Sequence, residues 1–464
     1  MVLRGGGTER RQDLKPIHAP IRQDVDDAPV TMADTDTDAA DQYDASIDEI
    51  KLGESTPGLW QRYRRLPRNV FAISLVSLLN DASSEIIYPL LPIFLTSTLG
   101  ASAKAIGMIE GTAESISSLL KLFAGYLSDR WGKRKWLVVF GYALAAFARP
   151  LLAFANSWQQ VLMIRSADRV GKGFRSAPRD AMIADAVRKE QRGIAFGFHR
   201  AMDHGGAVIG PLLGYLLVLL LVSNRSTPTK QEFTIVFLLA AIPAFAAVLV
   251  AAFVMRESKP GPIKIEQTPK LTLKGFDKNF KRFLLVLALF TLSNSSDSFL
   301  ILRARDAGLS LVAVPLLWAA HHASKVLSSL LGGDLSDRLG RKRLIVSGWI
   351  LYAAVYAGFA FVSQEISIWL LFLIYGIYFG LAEGAEKALV ADLVKPEQRG
   401  TAYGLYNLAF GITVFPASVL MGVIWDWQGA RTAFLVSATM GLSAAILLFF
   451  LVRVNPTPRS SDVN

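Results

Sequence analysis

The sequence predicts an all-α membrane protein with twelve transmembrane helices, arranged as two six-helix bundles related by pseudo-two-fold symmetry. The 464 residues are 52% hydrophobic and only 19% charged, and the mean hydropathy is +0.36. The apolar runs are long enough to cross a hydrocarbon core of about 30 Å, which takes about 20 helical residues. A charged motif recurs about half a chain later, which indicates an internal duplication. A soluble protein would not explain where the charges lie.

The duplicated motif is a basic loop between two apolar runs. Residues 125–135 and 333–343 both read G-x-L-S-D-R-x-G followed by three basic residues, at an offset of 208 positions (333 − 125). A second pattern, A-D-x-V with E-Q-R-G and a further Gly, occupies 184–197 and 391–404 at an offset of 207 (391 − 184). Two parallel six-span halves joined by a polar linker form a transporter architecture.

Five segments follow from composition. We expect residues 1–58 to be a disordered cytoplasmic tail, because their few apolar residues lack a helical period and form no signal-peptide core. The bundles are predicted at 59–255 and 280–453, with a Lys-rich cytoplasmic linker at 256–279 and a second tail at 454–464. The predicted spans are 69–97, 105–127, 135–155, 159–185, 194–222, 233–255, 280–303, 309–333, 343–363, 367–392, 400–424 and 430–453.

The basic residues are concentrated on one side of the predicted membrane. They follow the even-numbered spans, whereas loops such as 155–158 and 363–365 contain almost none. This bias predicts that the basic side and both termini are cytoplasmic in the plasma membrane, in particular a bacterial inner membrane. It also explains the net charge of +11 without a nucleic-acid partner. The absence of Cys excludes disulfides, thiolate metal sites and thiol nucleophiles.

The repeated loop and the two halves resemble the major facilitator superfamily (MFS) of secondary transporters over residues 60–455. The resemblance implies two bundles that rock about a central site, with spans 1, 4, 7 and 10 lining the cavity. It also implies that the acidic residue of the loop motif closes the cytoplasmic side through the opposite bundle and Arg165 of span 4. The gating residues implied in this way are Gly125, Asp129, Arg130, Gly132, Arg134, Arg165, Gly333, Asp337, Arg338, Gly340 and Lys342.

Ionisable side chains lie near the middle of spans 1, 4, 7 and 10. A charge at bilayer depth is costly unless it is paired or wetted, so these residues indicate a functional site. Asp81 and Glu85 share one helix face, because they are four residues apart. If that face meets Lys172 and Arg175 of span 4, a substrate that takes the cation leaves the acid free to bind a proton. The alternative is permanent ion pairs that brace the bundle. The candidate residues for substrate binding and proton coupling are Asn80, Asp81, Glu85, Glu114, Lys172, Arg175, Asn294, Asp297, His322, Glu383 and Glu386.

We therefore expect a proton-coupled secondary transporter and not an enzyme. Residues 171–173 lack the spacing of a phosphate loop, and no hydrolase or kinase constellation occurs. The basic residues of span 4 favour a small charged solute, an organic anion or an anionic metal chelate, and the Gly/Pro pattern at 205–211 resembles the family's antiporter signature and favours export. The alternatives are a pump for hydrophobic drugs and a non-transporting sensor on the same fold. We expect a monomer in the lipid bilayer, without cofactor or resident metal.

Overall fold

The computed structural model describes most of the chain, and every described residue lies in one compact unit, Leu59–Asn464. The two predicted tails and most of the predicted linker fall outside the described residues, so those expectations stay predictions. The described ranges are 64–131, 133–188, 191–223, 228–257, 272–395 and 398–453.

The described residues are almost entirely helical, which confirms the predicted fold class: each of the twelve predicted spans falls on one helical segment. The last two segments are continuous apart from Gly429, whose φ of +84° reverses the chain. Eight described helical segments, with 399–451 counted as one, are long and apolar enough to cross a membrane; α2, α4 and α8 are as long but more polar. The helices are α1 Arg68–Thr98, α2 Ala103–Trp131, α3 Arg134–Phe154, α4 Trp158–Ala186, α5 Arg192–Leu221, α6 Lys230–Val254, α7 Lys278–Asp306, α8 Ala313–Leu339, α9 Arg341–Phe361, α10 Glu365–Asp392, α11 399–428 and α12 430–451.

Local side-chain chemistry explains several helix ends. Thr229 and Glu232 form a reciprocal capping box at the start of α6. At the start of α7 the carboxylate of Asp277 accepts the Asn279 amide at 2.9 Å. This backbone hydrogen bond holds the pKa of Asp277 below its ordinary value. Gly340 adopts a φ of +86°, which lets α8 end and α9 begin within one residue.

Packing within each half follows the duplication. In the first half α1 packs on α5 and α6, α2 on α4, and α3 on α4 and α6. In the second half α7 packs on the continuous segment that contains α11 and α12, α8 on α10, and α9 on α10 and that same segment. The halves meet where α2 packs on α11 and α5 packs on α8. The duplication relates these two interfaces, because α2 corresponds to α8 and α5 to α11.

Among the described residues, the contacts between the halves lie between the membrane centre and one membrane side. We call the side where α2, α4, α8 and α10 end the basic face, and the other side the opposite face. At the opposite face the Asp426 carboxylate accepts the amides of Ala103 and Lys104, both at 2.9 Å, beside a cavity of about 430 Å³ that Asp426 helps to line. Nearer the centre, the Ser115 hydroxyl donates to the Gly411 carbonyl at 2.5 Å.

The hydrophobic core has the same asymmetry. The larger cluster of buried apolar residues contains both halves, and its first-half members all lie towards the opposite face. The smaller cluster lies near the basic face and belongs to the first half alone. The structure therefore has its halves closed together between the membrane centre and the opposite face.

Glycine makes the closed interface possible, and this gives a first prediction. A Cβ at Gly107 would overlap the Ser418 carbonyl, and one at Gly422 would overlap the Ala103 carbonyl. Overpacking a well-packed interface typically costs about 1–3 kcal/mol. We expect Gly107→Ala and Gly422→Ala each to lower the Tm of the detergent-purified protein by several degrees. Gly197→Ala is the matched control, since nothing lies within 4 Å of its added Cβ. Equal Tm values for all three variants would contradict this account of the interface.

Candidate functional site

Buried arginines hold the acidic side chains of the first half. Arg165 of α4 makes a bidentate contact with Glu110 of α2, the shortest N···O distance being 2.8 Å. Arg149 of α3 donates to Asp168 at 3.1 Å, and to the carbonyl and side-chain oxygens of Asn80 at 2.9 and 3.0 Å. All five residues are buried. Buried charges need such partners, so the predicted site residue Asn80 lies in a network that braces α1, α3 and α4.

The position of Arg165 corrects the role implied for it. α4 runs from the opposite face to the basic face, so Arg165 lies in its second turn, far from the loop between α2 and α3. Its acidic partners among the described residues are Glu110 and Asp168. The family pattern could not show this, because it places an arginine on span 4 without showing which acid is nearest.

At the basic face, ion pairs within each half secure the loops. Arg134 pairs with Asp185 at the end of α4, and Arg341 pairs with Asp392 at the end of α10. Both pairs are related by the offset of 207 (341 − 134; 392 − 185). The equivalent of Arg134 is thus Arg341 and not the predicted Lys342, whose Nζ lies 5.2 Å from the Phe449 ring centroid. These pairs tie each loop to its own half.

The other predicted gating residues are placed only in part. Gly125 faces α4, where an added Cβ would lie 3.5 Å from the Ala177 side chain. Arg130 is exposed, and Gly340 makes the turn described above. The remaining gating residues lie outside the described residues or have side chains that do: Asp129, Gly132, Gly333, Asp337 and Arg338.

Glu85 connects the two halves at the centre of the molecule. Its carboxylate accepts the indole N–H of Trp318 on α8 at 2.8 Å, and the His322 Nε2 lies 3.7 Å from the same oxygen. The neighbouring His321 ring contacts the Phe372 carbonyl instead, at 3.1 Å. Of the two histidines, His322 therefore reaches the central acid, and a protonated His322 would form an ion pair with it.

The expected ion pairs between span 1 and span 4 do not form. Asp81 accepts the Asn80 side-chain amide at 2.9 Å, and Glu85 turns towards α8. Arg175 turns towards α3, where its guanidinium lies 4.7 Å from the Tyr142 ring centroid and donates to the Gly141 carbonyl at 3.3 Å. Helix rotation decides this: sharing a face along one helix does not fix which neighbour that face meets.

A group of basic residues lies between α2 and α4 at the membrane centre. Glu114 interacts electrostatically with Lys172, Arg169 and Lys121, and its nearest ion-pair contact is with Arg169, at 3.9 Å. Lys121 and Lys172 form no ion pair with any residue that the structure describes, and both are partly exposed. Arg169 also approaches Asp168 at 3.9 Å, and Asp81 and Glu85 of α1 act on Lys172 from beyond ion-pair distance. The two lysines are thus the cations of this group that no described carboxylate contacts, which favours an anion.

Neutral donors hold the central acids of the second half. The Tyr375 hydroxyl donates to Asp297 at 2.7 Å. Glu386 accepts the indole N–H of Trp349 at 2.8 Å and the Tyr406 hydroxyl at 3.0 Å.

The other two predicted residues of the second half have polar partners too. The Asn294 side-chain amide donates to the Tyr378 hydroxyl at 3.3 Å. Glu383 pairs with Lys387 at 3.1 Å and approaches Lys325 at 3.8 Å. Within the described ranges, no cluster of three His, Asp or Glu side chains suits a metal ion.

Sequence reasoning does not predict Arg149, Trp318 or Tyr375. A signal exists for Arg149, because it is the single charged residue in the apolar run 136–155. A signal exists for Trp318 too, because it is the single Phe, Trp or Tyr in the run 309–333, whereas nothing marks Tyr375 among the many aromatic residues of the run 367–392. Their roles as donors to Glu85 and Asp297 appear only when α8 and α10 are packed around the centre.

Arg149 generates the second prediction. Arg149→Met keeps much of the side-chain volume but removes the hydrogen-bonded partner of Asp168. Breaking a buried ion pair from one side typically costs about 3–5 kcal/mol. We expect a large loss of Tm in detergent, and recovery of part of it in the double variant with Asp168→Leu. Arg431→Met, at an exposed arginine, is the control. An unchanged Tm for Arg149→Met would show that the network does not brace the fold.

Known proteins resemble this chain along most of its length. A model of the Major Facilitator Superfamily matches residues 73–385 and 283–464. An uncharacterised MFS-type transporter of Methanocaldococcus jannaschii is 36% identical over 394 residues, which are 84% of this chain and 96% of that protein. The fosmidomycin resistance protein of Escherichia coli is 26% identical over 388 residues, 82% and 91% of the two chains. A crystal structure of a bacterial homologue of the human lysosomal transporter Spinster, inward-facing and occupied, has a TM-score of 0.70 at 16% identity and covers 84% of this chain and 98% of its own; so low an identity shows the fold alone.

Proposed function

This chain belongs to the major facilitator superfamily, and on that premise we propose that it exports a small organic anion in exchange for protons. Membership makes it a multi-pass secondary transporter and not an enzyme. In this proposal the basic face is cytoplasmic, in keeping with the positive-inside rule, and the protein acts as a monomer in the plasma membrane. The described state is then open towards the cytoplasm, where the anion enters. An anionic metal chelate belongs to the same class of solute.

The basic group between α2 and α4 carries the proposal. Lys121 and Lys172 lack an ion-pair partner among the described residues, and Glu114 already faces Arg169. A charge at membrane depth without a permanent partner is costly. A solute that brings a carboxylate, phosphonate or phosphate to Lys172 supplies that partner. Charge-assisted hydrogen bonds of this kind are the strong ones.

Glu85 supplies the exchange with protons. Its partner Trp318 is a neutral donor, and no Lys or Arg among the described residues lies within ion-pair distance of the carboxylate, so a proton can bind it when His322 is neutral. A proton and a hydroxyl, amide or amine of the solute then compete for the same oxygens. Because binding of either one weakens binding of the other, the proton and the solute bind alternately, as export in exchange for inward-moving protons requires. The resistance protein among the relatives supports export as the direction.

Asp81 favours the opposite sign of coupling. Lys172 interacts electrostatically with Asp81, so an anion bound at Lys172 favours a proton on Asp81. If this linkage exceeds the competition at Glu85, anion and proton move together and the protein takes up the anion. The aromatic side chains between the halves, with Tyr88 of α1 and Trp318 of α8 in ring contact at 5.2 Å, favour a hydrophobic-drug pump as the second candidate.

The third prediction concerns the coupling acid. In proteoliposomes with an imposed pH gradient, we expect Glu85→Gln to abolish gradient-driven accumulation while solute-for-solute exchange persists, because the proton site is lost and the cation site is kept. The panel of solutes should contain organic phosphonates, carboxylates, metal–citrate complexes and lipophilic cations. Glu365→Gln, at an exposed carboxylate of α10, is the matched control.

Four outcomes of this assay would count against the proposal. Full accumulation of solute by the Glu85→Gln variant would show that Glu85 is not the acid that couples transport to protons. Accumulation in the same direction as the proton flux would indicate uptake with Asp81 as the coupling acid. Transport of the lipophilic cations alone would favour the drug pump, and movement of no solute at all would favour a sensor.

The fourth prediction concerns the anion. Lys172→Gln removes the positive charge with little loss of length, so we expect the KM for the transported anion to rise about tenfold, the equivalent of about 1.4 kcal/mol. Lys104→Gln, at an exposed lysine of α2 on the opposite face, is the control and should leave the KM unchanged. A KM for Lys172→Gln equal to that of the wild type would exclude this lysine from the anion site.

A further inference from the structure

α7 is interrupted at the membrane centre. Its helical turns end at Ser293 and resume at Ser298, and Asn294 between them has φ −94° and ψ 85°. Non-helical backbone is tolerated at this depth only where it is buried in protein or lines a cavity. The interruption leaves the carbonyl oxygens of Asn294 and Ser295 without a hydrogen-bond donor among the described residues. Freed carbonyls at broken helices are where transporters of other folds coordinate ions.

Two buried hydroxyls at the break lack hydrogen-bond partners. The Ser295 and Tyr356 side chains are 5% and 0% exposed, and neither hydroxyl has a partner within the described structure. The two groups are neighbours, and the Tyr352 and Tyr375 hydroxyls also lie around Tyr356, but none of these contacts has the geometry of a hydrogen bond. A buried polar atom without a partner costs free energy, and two such oxygens side by side fit one shared ligand. This observation is independent of the helix break itself.

Asp297 provides a charge beside these oxygens. Its carboxylate accepts the neutral Tyr375 hydroxyl and forms no ion pair with any described residue. The base that acts on it electrostatically is Lys325, whose Nζ instead faces Glu383 at 3.8 Å and the Phe379 ring at 3.9 Å. One uncompensated negative charge in a low-dielectric site matches a monovalent cation. A divalent ion would leave a net positive charge.

We propose that the break in α7 binds one Na⁺ ion. Its ligands are the Asp297 carboxylate, the hydroxyls of Ser295 and Tyr356, and the carbonyl oxygens of Asn294 and Ser295. Oxygen donors of these kinds suit a hard cation, and they need no cluster of acidic or histidine side chains. The site lies in the second half, apart from the lysines and Glu85 of the first.

The experiment measures ion binding to the purified full-length protein without any solute. We expect NaCl to raise the Tm saturably, by about 2 °C or more over choline chloride of equal ionic strength, and radioactive sodium to bind once per chain. Asp297→Asn should abolish both effects. Ser295→Ala keeps the side-chain volume and should weaken both, which gives a second test if the Asp297 variant does not fold. Ser347→Ala, at an exposed serine of α9, is the matched control and should behave as the wild type.

Equal Tm values in the two salts, with no bound sodium, would overturn the proposal. A sodium response that survives in Asp297→Asn would place the ion elsewhere and overturn it too. A Tm that rises at acidic pH but not with sodium would show that Asp297 binds a proton and not the ion, and this would also overturn the proposal. Proton-driven transport in sodium-free buffer tests the export function separately, so failure of one proposal is distinguishable from failure of the other.

Discussion

The cost of placing charge in the bilayer governs this structure. Each buried arginine of the first half has oxygen or aromatic partners: Arg165 binds Glu110, Arg149 binds Asp168 and Asn80, and Arg175 rests on Tyr142. Such networks cross-link helices that have no hydrophobic driving force to associate within lipid. The lysines between α2 and α4, and the acids at the centre, are the charged side chains that these arginine networks do not pair.

Duplication preserved the framework of the two halves while their chemistry diverged. The ion pairs of Arg134 and Arg341 with the ends of α4 and α10, and the reciprocal interfaces of α2 with α11 and α5 with α8, still obey the repeat. The central acids do not. Arginine binds Glu110 and Asp168 in the first half, whereas tyrosine and tryptophan bind Asp297 and Glu386 in the second. A charged half thus faces an aromatic half across the centre, which suits a solute with one ionic and one less polar end.

Sequence patterns predicted the fold well, because span length, the repeat and loop charge all follow directly from the bilayer as a solvent. They also located the central residues by depth, since an ionisable side chain within an apolar run is conspicuous. Partners could not be predicted in the same way. Whether Asp81 meets Lys172 depends on helix rotation, and apolar runs contain little information about rotation. The break in α7 was equally hidden, because the run of polar residues from Ser293 to Asp297 is compatible with a continuous cavity-lining helix.

Asp426 closes the opposite face by capping α2 across the boundary between the halves. The cap borders a cavity open to solvent, so water can replace the carboxylate at the two amides as soon as the halves part. A hydrogen bond exchanged for water in this way changes the free energy by only about 0.5–1.5 kcal/mol. Deeper in the same interface the contacts are close glycine packing and the hydrogen bond from the Ser115 hydroxyl to the Gly411 carbonyl, which water can replace in the same way once the halves part. The outer seal therefore has a low thermodynamic threshold, as expected of a surface that must open and re-form in every cycle.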